Sequence, residues 1–464
     1  MSFTTWQYLL FLTGCLVAVR LLGNRKASRV FLLLASCAFY AFWEIRLVPL
    51  FLAMAAVTYF IGKSIRQAPT PQLRTGGLWA GIVINLFVLG LFKYYSFFAS
   101  SLVSIFRIHV ETNLGLILPI GISFVTFEVL SYVVDVYRGD PEADSLLDFT
   151  LMVMFFPHLI AGPILKPRDF LTQLINSLHV SWNNIEEALP GFLMGFAKKA
   201  LVADSLAQFV DPVFARPHFY SSLTVWLAVI AYALQIYCDF SGYSDMAIAS
   251  AKGFGLTIPP NFNMPYIALN VSDFWRRWNI SLTRFLTDYV YIPLGGNRKG
   301  LVRASGNTMI VMLISGLWHG AGWNFIVWGG MHGIAMVTHR LFRAVVPVRA
   351  SGPTKTGVFA AWLATCIFLC FAWVFFRAAS FSLALQVIAK MLHVGYTDGI
   401  AWIPPSLIVA LAAVALATWI GLRYGQPQRL RVLSFGGGFT IVFVVLVVLA
   451  FSPTNASPFI YFQF

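Results

Sequence analysis

His319 and His332 stand in SGLWHGAGWNFIVWGGMHG (315–333), an uncharged stretch rich in glycine and tryptophan. Imidazole is the side chain best suited to moving a proton near neutral pH. An ionisable group inside membrane sequence is costly and marks a functional site by default. His319 is therefore read as a base acting on a hydroxyl in preference to a hydrogen-bonded core histidine, with Trp318 beside it as a wall of the substrate site. His332 is read either as a hydrogen-bonded core histidine or as a second member of the same site. On one unbroken helix the two would lie roughly 20 Å apart along the axis and on nearly opposite faces. They share a site only if Gly320 and Gly322 break the helix.

Three other polar clusters interrupt the apolar background. In QIYCDFSGYSDMAIASAKGFG (235–255), Asp239 and Asp245 are six positions apart with Ser241 and Ser244 between them. Acids at such depth face a cavity or a partner. They either shape a substrate cavity with Ser241 or are buried acids satisfied by serines, tyrosines or backbone at a helix break. In DFWRRWNISLTRFLTDYVYIPLGGNRKG (273–300), Trp275, Trp278, Leu282 and Phe285 recur at three- and four-residue spacing. The spacing predicts an amphipathic interfacial helix. Arg276 and Arg277 on it are suited to bidentate phosphate contact, with Trp275 beside them, or serve only as anchors. FFPHLIAGPILKPRDF (155–170) carries prolines and Gly162 that forbid a regular span and predict an irregular turn. No Walker loop, G-x-S-x-G elbow or H-E-x-x-H pattern occurs, and no metal site is expected.

The elements that hold these residues follow from composition. Of 464 residues, 59% are hydrophobic and 11% charged, with a mean hydropathy of +0.76. That charge content is less than half the soluble norm of about 25%, which predicts a polytopic, all-α transmembrane bundle. Long continuous apolar runs exclude the alternating pattern of a β-barrel. Spans are expected near 5–22, 30–46, 47–62, 77–95, 114–134, 149–165, 188–210, 222–250, 305–320, 324–339, 357–377, 403–421 and 432–451. Some are short or re-entrant, leaving about eleven crossings.

The net charge of +14 sits in short loops, as the positive-inside rule requires, and not in a nucleic-acid-binding patch. Arg25, Lys26 and Arg29, then Lys63, Arg66 and Arg74, then Arg340, Arg343, Arg349 and Lys355, then Arg423, Arg429 and Arg431 all fall on one parity. Both termini are then extracytoplasmic. Leu-Thr-Gly-Cys at 12–15 is read as part of a retained first helix, because the basic residues follow the apolar run. The five cysteines are scattered and read as small hydrophobes. No repeat or linker divides the chain, so 1–464 is taken as a single integral membrane domain.

The four motifs, with NFNMPY (261–266), occur in an order that resembles the membrane-bound O-acyltransferases, in particular the membrane subunit of bacterial alginate and exopolysaccharide O-acetylation. The resemblance is dense over 155–333. It implies a funnel-like helical bundle with His319 at the catalytic position and His332 as a second histidine. It further implies acyl transfer from a cytoplasmic thioester, acetyl-CoA, with no bound cofactor. The acetyl group crosses the inner membrane toward an extracytoplasmic partner protein or a polysaccharide. The polysaccharide branch has Trp-His where this chain has Trp278-Asn279, so Asn279 orients a substrate or donates a hydrogen bond and cannot be a base. An oxyanion donor is then expected from Asn279, His332 or a backbone amide. A proton-coupled transporter or flippase of a polysaccharide precursor, an acyltransferase for a cell-wall polymer, and a non-catalytic scaffold are the alternatives.

Overall fold

A computed structural model describes residues 2–108, 110–160, 162–346, 354–394 and 399–424. The expected span at 432–451, the basic residues Arg349, Arg429 and Arg431, and the C-terminal segment lie outside these residues. The fold is helical as expected; among the described residues the β type is confined to an isolated bridge between Tyr220 and Ile400. Contacts group the described residues into two compact units. One comprises those of Met1–Leu193 with Tyr243–Pro260, the other those of Met194–Gly242 with Asn261–Gln428. The motif-bearing stretch 155–333 contributes to both.

The first unit holds α1 (Trp6–Leu22), α2 (Arg25–Glu44), α3 (Val48–Gln67), α4 (Pro71–Leu89), α5 (Tyr95–Phe106), α6 (Ile122–Arg138), α7 (Leu146–Met154), α8 (Pro167–Asn176) and most of α9 (Trp182–Ala197). Polar side chains start the helices where the sequence offers them. Thr5, Asn24, Thr70 and Ser145 each accept from a backbone N–H of the first turn. The helices α3, α4 and α6 pack on one another, and α2 packs on α7. An ion pair between Arg29 and Asp148, at 2.7 Å, crosses that second contact. The outward faces stay apolar: Leu34, Phe42, Phe87 and Ile105 are all exposed. Surface of that kind belongs in lipid.

The second unit holds α10 (Asp204–Ala215), most of α11 (Ser222–Gly253), α12 (Val271–Arg277), α13 (Ile280–Leu286), α14 (Gly300–His319), α15 (Trp323–Val345), α16 (Lys355–Arg377), α17 (Phe381–Met391) and α18 (Pro405–Tyr424). Six helical segments among the described residues are long and apolar enough to span a membrane: Arg25–Gln67, Pro71–Phe106, Ser222–Gly253, Gly300–His319, Lys355–Arg377 and Pro405–Arg423. The chain is a multi-pass membrane protein.

Three sequence expectations are corrected. The span expected near 149–165 is regular helix only to Met154, and 155–160 is the irregular turn that its prolines predict. The acidic pair of 235–255 sits on α11, which runs unbroken from Ser222 to Gly253. The predicted amphipathic helix of 273–300 is two short helices, α12 and α13, broken at Trp278-Asn279.

Candidate active site

The site is built on the hairpin of α14 and α15. Gly320 and Gly322 are both extended, with φ of −163° and −165°, and turn the chain between His319 and Trp323. The glycines therefore break the helix where the sequence expectation placed the turn. Asn324 anchors the start of α15 by donating to the Ala378 carbonyl at 2.8 Å. Behind the turn the two backbones touch. A Cβ on Gly316 would run into the Phe325 carbonyl oxygen, and one on Gly329 into that of Met312. Only glycine permits this approach, as at close helix contacts within membranes.

That approach sets His319 and His332 on one indole. His319, the last residue of α14, is 2% exposed. Its ring lies 5.0 Å from that of Trp328, 4.9 Å from Trp318 and 5.2 Å from Phe376. His332, one turn after Trp328 on α15, is fully buried and lies 4.7 Å from the same Trp328 ring. Trp275 of α12 donates its indole N–H to Nδ1 of His332 at 3.2 Å. Phe274 stacks on His332 at 6.2 Å, and Phe368 meets it edge-on at 5.2 Å. Two imidazoles thus share an aromatic enclosure. Nε2 of His332 and Nε1 of Trp328 are buried there without a hydrogen-bond partner.

The break between α12 and α13 delivers Asn279. Its φ of +42° is left-handed, a conformation that asparagine tolerates better than other side chains with a Cβ. The NFNMPY segment straps this bend. Asn261 accepts from the N–H and hydroxyl of Ser281 at 3.0 and 2.9 Å, and its carbonyl accepts from Ile280 at 3.0 Å. Asn279 itself is 0% exposed, and neither atom of its side-chain amide has a partner. A buried amide left unpaired costs about 1–3 kcal/mol, so its place is understandable if a bound group completes it. The neighbouring Trp278 ring packs on Trp373 at 5.0 Å, and Trp373 on Trp328 at 6.2 Å. Aromatic contacts thereby run continuously from the bend to the histidine pair.

The remaining predicted residues fall elsewhere. Trp275 and Trp278 are buried and not interfacial, because the broken helix turns both rings inward. Arg276 is 69% exposed at its side chain and pairs with Asp273 at 3.3 Å. Arg277 meets the same carboxylate at 3.1 Å. Asp239 is buried and paired with Lys199 at 2.7 Å, and Lys199 also holds Asp204 at 2.8 Å. A lysine from the π-helical turn Lys198–Ala203 is thus the partner where serines, tyrosines or backbone were expected. Ser241 is buried with its hydroxyl unpartnered. Asp245 belongs to the first unit.

The membrane-bound O-acyltransferase family matches residues 36–385. The chain belongs to this family. It is 39% identical over 395 residues to a peptidoglycan O-acetyltransferase of Helicobacter pylori, covering 79% of this chain and 74% of that one. It is also 39% identical over 400 residues to a "probable alginate O-acetylase" of Azotobacter vinelandii, covering 85% of this chain and 79% of that one. A teichoic acid D-alanyltransferase of Bacillus subtilis is 27% identical over 243 residues, 49% of this chain and 60% of that one.

The membrane-bound O-acyltransferase is an enzyme, and its sequence left several participants unmarked. Trp328, Trp373 and Phe376 build the enclosure but read as ordinary apolar residues; Trp328 was legible only as the position one turn before His332. Lys199 lies in an apolar setting, and a buried lysine needs an acid. His158 carries no local signal of its role in the proline-rich turn. It is buried in the first unit, with Nε2 donating to the Met152 carbonyl at 2.9 Å and Nδ1 3.2 Å from Glu128. Glu128 also accepts from the Leu165 N–H at 3.2 Å. This pair ties the irregular segment to α6.

Proposed function

We propose that this acyltransferase passes an acetyl group from acetyl-CoA, arriving from the cytoplasm, toward hydroxyls of an extracytoplasmic polysaccharide. The relatives named for alginate and peptidoglycan both act on glycans, which supports an exopolysaccharide or cell-wall polymer as final acceptor. Delivery is direct or through an extracytoplasmic partner protein, and the enzyme resides in a bacterial inner membrane. The observation that carries the reading is the burial of His319 at the break between two helices, sharing the Trp328 ring with His332.

His319 takes the proton of the attacking hydroxyl as its oxygen adds to the thioester carbonyl. The oxyanion that forms accepts hydrogen bonds from the Asn279 amide and from His332. Collapse breaks the carbon–sulfur bond, and the proton held by His319 leaves with the coenzyme A thiolate. The products are an acetyl ester and free coenzyme A, so atoms balance without a metal or redox partner. Arg276 and Arg277 meet the phosphates of the donor. Their shared partner Asp273 leaves net positive charge there.

The test is release of coenzyme A from acetyl-CoA by membranes containing the protein. His319→Ala should lower the rate by about 10²–10⁴-fold, the usual share of a positioned base, while protein level and insertion stay normal. Arg277→Gln should raise the apparent KM for acetyl-CoA roughly tenfold with little change in kcat. Wild-type turnover by His319→Ala would remove the assignment of the base.

A further inference from the structure

We propose that Trp275 is a positioning residue that locks His332 as a hydrogen-bond donor and keeps it from acting as a second base. The argument starts from the inventory of protons. An indole N–H can only donate. The Trp275 Nε1–H points at Nδ1 of His332 at 3.2 Å, so Nδ1 must present its lone pair. A neutral imidazole then carries its proton on Nε2, since which nitrogen is protonated follows from the bond the other makes. That Nε2 is buried and has no partner. The ring cannot swing away, because Phe274, Trp328 and Phe368 hold its other surfaces. Trp275 is fixed in turn: its ring is buried and packs edge-on to Trp328 at 5.6 Å.

The enclosure therefore holds two imidazoles with different duties. His319 at the end of α14 accepts the proton in the acyl-transfer reading, on which the use of the donor rests. His332 offers only an N–H, aimed at a group that arrives with the substrate. Trp275 does this without touching the substrate, which changes its expected place as a substrate-binding residue.

The experiment has a spectroscopic arm and a kinetic arm. Nitrogen-15 histidine spectra of the full-length protein in membranes, compared with His332→Gln to assign the signal, should show His332 wholly in the Nε2–H form. Trp275→Phe keeps a ring and removes the N–H, and should mix the tautomers. In the kinetic arm, Trp275→Phe should lower kcat three- to tenfold, the effect of one lost buried hydrogen bond, with the KM for acetyl-CoA unchanged. His332→Gln places an amide N–H near the Nε2 position and should keep more activity than His332→Asn. In the His332→Gln background, Trp275→Phe should cost nothing further. A wild-type signal from Nδ1–H, or an equal loss from Trp275→Phe in both backgrounds, would overturn the lock and leave Trp275 as packing. A wild type that releases no coenzyme A would remove the acyl-transfer reading, while the tautomer signal would stand.

Discussion

Asn279 joins two unfavourable states at one residue: a left-handed backbone and a buried amide with no partner. Each costs on the order of 1–3 kcal/mol, while Asn261 separately pins the start of α13 through Ser281 and Ile280. This separates stability from activity. Asn279→Gly should relieve the backbone and leave thermal stability in detergent equal or higher, yet lower acyl transfer by about 10²-fold through the missing donor. Asn279→Ala should lose activity similarly and be less stable than the glycine variant, because alanine keeps the backbone strain. Full activity in the glycine variant would assign the amide to structure alone. The asparagine was visible in the sequence as a departure from Trp-His, but its backbone was not. A residue inside a convincing helical periodicity gives no warning of a positive φ, and here tertiary packing overrode the pattern.

The hairpin of α14 and α15 acts at the scale of elements. Its two glycine contacts fix how far His319 stands from His332, so the pair is set by backbone contact and not by side-chain choice. Gly329→Leu should push Met312 and its helix away from α15, destabilise the protein by about 1–3 kcal/mol, and abolish activity even where folded protein remains. Unfolding temperature and coenzyme A release on the same preparation check both effects. Intact activity would show that the hairpin can open without separating the histidines. The sequence revealed this element well. Two runs of adequate length between basic residues, joined at Gly320–Gly322, required a turn at the depth of His319. It revealed α12 and α13 poorly, because Trp275 and Trp278 fit an interfacial stripe as readily as an inward one. Amphipathic spacing defines faces and does not say what covers them. The Lys199–Asp239 pair is hidden for a different reason: its members are far apart in the chain, and no local pattern links a lysine to an acid forty positions on.

For the whole molecule, the balance of basic residues predicts orientation. The loops bearing Arg25, Lys26 and Arg29 and bearing Lys63, Arg66 and Arg74 should both be cytoplasmic, with α1 starting outside. Cysteine accessibility at Thr5 and at Ser64, in a background without the native cysteines, should label only from the outside and only from the inside respectively. The opposite pattern would overturn the topology. Class and family were legible because hydropathy and four ordered motifs are local features of the chain. The division of contacts into two units was not, since α9 and α11 pass through the boundary without any change of composition.

Of the fourteen tryptophans in the chain, Trp275, Trp278, Trp318, Trp328 and Trp373 belong to the ring network around the histidines. Indoles so close couple their electronic transitions, and imidazoles at contact range quench their emission. The protein thus carries its own optical probe where the chemistry is proposed. Near-ultraviolet circular dichroism and tryptophan emission of the unlabelled enzyme will register an acyl donor entering, or a variant that loosens the enclosure, before any product is measured.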